Sequence, residues 1–224
     1  MSHLACGLQP VEPLAFGQWD GLERHSALER VRVEDAGDCR NVFRVGIAYH
    51  QRAGHRLSLL DTVLIRDATE LDWAAIWPFW RSIVSACETY CYDPELTEGQ
   101  ASARWMQQPP GRTAVAVDDG GTMLGTAKMH PNQGGPGAHV ATASFMVDPR
   151  YGGHGVGRAL GQDALSWARS AGYRAMQFNA VVQTNSGAAG LWRSLGFEVL
   201  ATVPEAFQHP VHGYVGLHIM HRYL

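Results

Sequence analysis

The sequence predicts an α/β domain, a mixed central sheet with helices packed on both faces. Three observations lead there. From residue 63 onward, segments of strand periodicity alternate with segments of helical periodicity. Three strand-like segments succeed one another across tight-turn chemistry, so part of the sheet is antiparallel. A further strand then runs through a glycine-rich loop into a helix, the junction expected of layered α/β architecture.

Taken in order, residues 1–60 carry weak periodicity, scattered charge and only short candidate elements such as 22–33. No function can be read from this stretch, which is expected to be a flexible or loosely docked extension ahead of the domain proper at 63–224. A short strand is predicted at 63–66. Thr69 and Asp72 have the spacing of a capping box and open a helix whose apolar residues Leu71, Ala75, Phe79, Ile83 and Cys87 recur every four positions, with Pro78 expected to kink or restart it. Thr97 and Gln100 open a second, short helix to about Met106, closed by Pro109, Pro110 and Gly111. Strands are predicted at 113–117, 123–130 and 139–147, separated by the turn residues 118–121 and 132–137. A helix follows from about Gly155, with Val156, Leu160, Ala164, Trp167 and Ala171 on one face and Gly172 as its stop. A strand at 174–182, a helix capped by Asn185 and ending at Gly196, and two strands at 197–203 and 214–223 complete the chain. Helices on both faces of one sheet let every apolar face find a neighbouring layer.

Composition narrows the function. In 224 residues, 18 Lys and Arg stand against 21 Asp and Glu, with a pI near 6.4, so no polyanion-binding face is indicated and nucleic acid is not an expected partner. No stretch has the length and apolar character of a membrane span, and the N-terminus lacks a signal-peptide pattern; a cytoplasmic protein is expected. Cys6, Cys39, Cys87 and Cys91 have no CxxC spacing. Cys87 and Cys91, four apart, read as two thiols packed in a helix or as a metal or redox pair; no other Cys or His cluster completes a ligand set, and no metal is expected.

The most informative stretch is 151–160, where four glycines (Gly152, Gly153, Gly155 and Gly157) fall within six positions between a strand and a helix. Glycines let the main chain approach an anion, and the free N–H groups of a helix's first turn favour phosphate. It is not the dinucleotide fingerprint, because Leu160 stands where the last Gly or Ala belongs, nor a P-loop, because no Lys-Ser/Thr pair follows.

With Gly155 and Gly157 in the loop, Met146, Val147, Asp148 and Pro149 before it, and Asn185, Ala188, Leu195, Gly196 and Phe197 after it, residues 63–224 resemble the GNAT superfamily of N-acetyltransferases. The resemblance implies that fold, with a splay between the fourth and fifth strands of the domain, and acetyl-CoA as co-substrate. It places the coenzyme diphosphate on the loop from Gly152 to Gly157, through the amides of Gly153, His154, Gly155, Val156 and Gly157, and the pantetheine arm between 141–147 and 174–182, where backbone groups near Phe145, Met146 and Val147 would lack sheet partners. One departure stands out: Gly152 occupies the position of an Arg or Gln in the signature, for which Arg150 or Arg158 are the candidate substitutes.

The segment 178–197 is similar to that of yeast acetyltransferases acting on proline analogues such as L-azetidine-2-carboxylate, which makes Asn179 and Asn185 candidate coenzyme contacts; as bare residues they read as a polar strand face and an N-cap. The Glu88-Thr89 pair resembles the phosphinothricin acetyltransferase group and makes Glu88 the candidate general base, the alternative being a solvated helix-end carboxylate. Tyr90 and Tyr92 are candidates for lining the acceptor pocket, or for plain packing. Where many relatives place an acidic Tyr beside the coenzyme, this chain has Trp192, whose indole cannot protonate a thiolate; Tyr214 or a water would serve, or the thiolate leaves unassisted. His130, His209 and His212 are further options.

Direct transfer in a ternary complex to the amine of a small molecule, an amino acid or analogue, is therefore expected. A polyamine, an aminoglycoside or a protein N-terminus are the alternative acceptors, and a non-catalytic acetyl-CoA sensor is the alternative class. The final strands could supply a homodimer interface.

Overall fold

The computed structural model describes residues 62–224 and, of the preceding chain, the backbone of two strands, β1 (Ala27–Val31) and β2 (Val42–Gly46). Cys6 and Cys39, and the flanks of the candidate element at 22–33, lie outside the described residues. The remaining elements are β3 (Thr62–Asp67), α1 (Trp73–Ser85), α2 (Glu98–Trp105), β4 (Arg112–Val117), β5 (Met123–Pro131), β6 (Val140–Val147), α3 (Val156–Ser170), β7 (Ala175–Val182), α4 (Ser186–Ser194), β8 (Glu198–His209) and β9 (Gly213–Tyr223).

The described strands form one sheet in the order β1-β2-β3-β4-β5-β6-β7-β9-β8. Every pairing is antiparallel except β6 with β7, which is parallel and lasts only two positions, Val140 opposite Ala175 and Ala141 opposite Met176. Past Ala141 the two strands part. This is the splay expected between the fourth and fifth strands of the domain, which are β6 and β7 once β1 and β2 are counted. The latter two strands extend the sheet beyond β3, with Val45 opposite Val63.

Two apolar cores sandwich the sheet. On one face α3 and α4 bury Val156, Leu160, Ala164 and Trp192 against Ile65, Ala116, Leu124, Met129 and Phe178. On the other, α1 and α2 bury Ile76, Trp80, Val84 and Trp105 against Val115, Val117 and Met146. β4, an interior strand, is buried on both faces, with Ala114 through Ala116 fully excluded from solvent. A buried ion pair ties α3 to this strand: Asp163 on the inner face of α3 meets Arg112 at 2.5 Å, and Arg112 also reaches Asp67 at 2.5 Å.

Both capping boxes form, at Thr69 with Asp72 and at Thr97 with Gln100. The first opens a single 3-10 turn that leads into α1. The expected apolar stripe on α1 is not the buried one: Leu71 is 88% exposed, and the helix buries Trp73, Ile76, Phe79, Trp80 and Val84. A spacing of four overshoots the 3.6-residue turn by about 40° per step, so a run of five such residues spirals off any one face. Nor does the helix restart at Pro78; it continues to Ser85, because the missing amide lies in its second turn and removes a single bond. In α3 the turned-in residues are Val156, Ala159, Leu160, Ala164, Leu165 and Ala168, whereas Trp167 is half-buried and Ala171 exposed.

Candidate active site

The glycine loop is shaped by two residues in the left-handed region, Gly153 (φ 78°) and Gly155 (φ 84°), the latter being the N-cap of α3. L side chains resist this conformation, which is why the sequence supplies glycine there. The approach to the loop is pinned by Asp148, whose buried carboxylate accepts the Arg150 amide at 3.0 Å and the Arg150 guanidinium at 2.6 Å. Burial opposes charge on Asp148, yet these donors outweigh it and hold its pKa below the usual carboxylate value. The amides of Tyr151 and Gly152 are used internally, bonding Asp148 O and Pro149 O. The next six, from Gly153 to Arg158, meet no acceptor among the described residues, and the first acceptance within the helix is Ala159 N to Gly155 O. A run of unpaired donors at the positive end of a 15-residue helix suits a diphosphate.

The candidate side chains around this loop are engaged elsewhere. Arg150 is held by Asp148, and Arg158 donates to Ser194 Oγ at 2.9 Å across to α4. Gly152 has an extended backbone (φ −61°, ψ 145°) that any residue adopts, so its departure from the signature is not a backbone requirement. His154 is exposed, whereas Val156 is buried in the core, which leaves Val156 only a backbone role toward a ligand. Gly157 faces Leu191 and Val147; a Cβ there would lie 3.3 Å from Leu191 Cδ2.

The loop follows directly on β6, one of the two strands that part. Asp148 N donates to Leu124 O and Asn132 N to Val140 O, so even-numbered residues of β6 turn their backbone groups to β5. The odd-numbered Ala143, Phe145 and Val147 turn theirs to β7, where pairing has already stopped. One of these groups is capped: the Tyr90 hydroxyl donates to Phe145 O, fastening the segment after α1 onto the open edge of β6. Burial, reinforced by neighbouring Tyr92, holds the Tyr90 pKa well above the ordinary tyrosine value, so this hydroxyl stays a donor.

A cleft of about 520 Å³ occupies the splay. Of the residues singled out from sequence, it brings together Tyr90, Tyr92, His130, Phe145, Met146, Val147, Asn179, Asn185 and Trp192. Tyr90 and Tyr92 stack at 5.6 Å between ring centroids. Trp192 is a core aromatic, 4.6 Å from Phe145 and 4.9 Å from Phe178, with its edge on the cleft. Asn185 caps α4 by accepting the Ala188 amide at 3.0 Å. Asn179 belongs to a chain of amides in which Gln177 donates to it and it donates to Asn132 at 2.6 Å, linking β7 to the turn that follows β5.

Glu88 and Tyr214 are not brought into the lining. Glu88 sits on the exposed turn after α1, next to the cleft-lining Thr89, and Tyr214, 68% exposed, lies near the β8–β9 hairpin. His209 accepts the amides of Val211 and His212 in that same hairpin. Cys91 lines the cleft, but burial raises its pKa, which disfavours the thiolate. Among the described residues no group of three or more His, Cys, Asp or Glu could hold a metal, and no helix is long and apolar enough to cross a membrane.

Of a polar ladder on the floor of the cleft, sequence reasoning singles out only His130. Thr126 accepts Trp105 Nε1 at 3.1 Å, which puts Thr126, and with it Lys128 and His130, on the α1–α2 face. Lys128 pairs across with Ser144 and His130 with Thr142, and all four line the cleft. The signal was present as alternation, since Thr126, Lys128 and His130 interleave with Ala127 and Met129.

Comparison with known proteins agrees with this geometry. Residues 77–197 match the model of the Acetyltransferase (GNAT) family. A GCN5-related N-acetyltransferase from Kribbella flavida is 63% identical, with a TM-score of 0.71 over 72% of this chain and 98% of that one. A phosphinothricin acetyltransferase from Sinorhizobium meliloti, solved in complex with AcCoA, shares the fold at 23% identity, with a TM-score of 0.64 over 72% of this chain and 88% of that one. The N-acetyltransferase aca1 of Schizosaccharomyces pombe is 30% identical over 111 residues, 49% of this chain and 53% of its own, so the chain spans about half the length of that relative. A glycine loop with six unpaired amides, a sheet splayed beside it and a family match over more than half the chain place this protein in the GNAT family of acetyltransferases.

Proposed function

We propose that the protein transfers an acetyl group from acetyl-CoA to the amine of a small molecule, an amino acid or analogue, directly within a ternary complex. One observation carries the reading: the unpaired amides of residues 153–158 follow directly on β6, whose parting from β7 leaves an open cleft lined by aromatic and polar side chains. The coenzyme supplies the activated acyl group as a thioester.

The chain's own groups account for the remaining needs. The loop amides hold the diphosphate, and the unpaired backbone groups of Ala143 and Val147 orient the arm along β6. With the Phe145 carbonyl capped by Tyr90, the Phe145 amide is left facing the gap, where a donor stabilises negative charge developing on an acyl oxygen. Tyr90, Tyr92 and Trp192 give the cleft aromatic walls, which limit the water around the reacting groups once the ligands fill it.

Two groups compete for the acceptor's proton. Glu88 is the carboxylate suggested by sequence and flanks the cleft at Thr89. His130 lies in the lining, and its Nδ1 bonds Pro131 O at 2.8 Å. A carbonyl only accepts, so Nδ1 carries the proton and the neutral ring keeps its lone pair on Nε2. The test is thiol release from acetyl-CoA across a panel of amino acids, amino-acid analogues, polyamines and aminoglycosides. Release with a small amine is expected; coenzyme binding without release from any amine supports the sensor reading instead. Glu88→Gln and His130→Gln, assayed side by side, assign the base: loss of kcat with unchanged coenzyme affinity marks the residue that takes the proton.

A further inference from the structure

The cleft has an uneven charge distribution. Its lining contains tyrosines, threonines, a serine and two asparagines, but no Asp or Glu, and its one permanently charged side chain is Lys128. That lysine is not loose. Its Nζ donates to Arg104 O at 3.0 Å and sits 5.5 Å and 5.6 Å from the ring centroids of Tyr92 and Trp105. An ammonium offers three donors, and the carbonyl uses one. Ring faces steady a cation without accepting conventional hydrogen bonds, so donor capacity remains on Nζ. No carboxylate bridges to Lys128 among the described residues. Two positions along the same strand face stands His130, and opposite them Ser144 and Thr142 offer hydroxyls.

We infer that Lys128 is the specificity-determining residue of the acceptor site, which takes amines bearing a carboxylate, the Lys128 ammonium pairing with that carboxylate while the amine lies toward the open edge of β6. The inference deepens the acetyl-transfer reading and rests on it. A polyamine or aminoglycoside would bring further cations against a fixed cation with no anion to receive them, and like charges in a confined site are costly. An acceptor with one carboxylate and one amine is complementary at both ends, provided its amine reaches the cleft neutral. The hydroxyls of Ser144 and Thr142 then complete the carboxylate's hydrogen bonding from the same face.

The test compares each of the common α-amino acids with its carboxamide and its decarboxylated amine as acceptors for the full chain. For the best amino acid, kcat/KM is expected to exceed that of its carboxamide by roughly 10- to 100-fold, the worth of one charge-assisted contact. In Lys128→Met, which keeps the apolar stem against Tyr92 and Trp105, that ratio is expected to fall toward one, with the loss appearing mainly in KM. Acetyl-CoA affinity and the melting temperature of the variant establish that it is folded. Should the variant not fold, the wild-type ratio decides alone. Turnover of amines with no preference for the carboxylate overturns the assignment of Lys128 and leaves acetyl transfer standing. No thiol release with any amine defeats acetyl transfer, and the assignment of Lys128 with it.

Discussion

Gly152 and Gly153 are neighbours with opposite backbone demands, and replacing each by Ala separates the roles of shape and side chain in the loop. At Gly152 the backbone is extended and an added Cβ would lie 3.4 Å from Pro149 O, an ordinary contact. Gly152→Ala is therefore expected to stabilise slightly, by about 0.4–1 kcal/mol, through reduced freedom of the unfolded chain. At Gly153 the φ of 78° is left-handed, while an added Cβ would find no atom within 4 Å. The cost of Gly153→Ala is thus conformational alone, about 1–2 kcal/mol. The two variants should differ by on the order of 2 kcal/mol, and for a chain of this size each kcal/mol moves the midpoint by roughly 2–4 °C.

The larger contrast is expected in coenzyme binding. Relaxing residue 153 out of its left-handed turn re-aims the amides of Gly153 and His154. Losing one or two bonds to a diphosphate raises the acetyl-CoA Kd by roughly 10- to 100-fold. Gly152→Ala leaves Kd unchanged, because its own amide is already committed to Pro149 O. Thermal melts and isothermal titration calorimetry read both quantities. Equal responses of the two variants, or wild-type affinity in Gly153→Ala, would refute the idea that the amides grip the diphosphate through this turn.

Other consequences follow from the same geometry. Gly152→Arg places a guanidinium beside the loop without backbone strain and is expected to tighten acetyl-CoA binding several-fold, with the gain eroding at high salt. Asn185→Ala removes the α4 cap at a cost of about 1 kcal/mol and weakens acetyl-CoA binding; Asn185→Ser keeps the cap, so a variant that melts normally yet binds poorly isolates the ligand contact. Arg112→Met leaves Asp163, whose side chain is 2% exposed, without its counter-ion, and is expected to cost about 3–5 kcal/mol in denaturant unfolding, most of it recovered by adding Asp163→Leu. The Arg66 guanidinium lowers the Asp72 pKa from 3.8 to about 2, a carboxylate depressed in the folded state. Its stabilisation is therefore complete above about pH 4 and lost as pH falls toward 2. Because the pair is partly solvated, the loss should be only about 1 kcal/mol, and Asp72→Asn should abolish that part of the acid dependence.

Much of the fold was legible because it is local. Both capping boxes, the meander and the glycine turn are written in residues three to six positions apart, and all three formed. The buried face of α1 was not, because a stripe from Leu71 to Cys87 looks continuous in sequence and winds around the helix in space. Lys128 escaped notice, and His130 stood only as one of several candidate acids, for a different reason. Alternation shows that they share a face, but only the pairing of β5 with β6 and the seat of Trp105 on Thr126 show that this face is the cleft floor. The pairing of β1 and β2 with β3 was equally out of reach, since register between strands separated by long connections leaves no local trace.

The bond from Tyr90 to the carbonyl of Phe145 joins two parts that a designer would prefer to treat separately. In the proposed site this bond couples the acceptor wall to the strand along which the coenzyme lies, so grafting a foreign segment over 88–96 to change substrate is expected to loosen the acyl donor's track as well. Diversification of the acceptor by drift or by engineering is better tolerated on the floor, at positions 128, 142 and 144, where side chains can change while the main chain keeps its place.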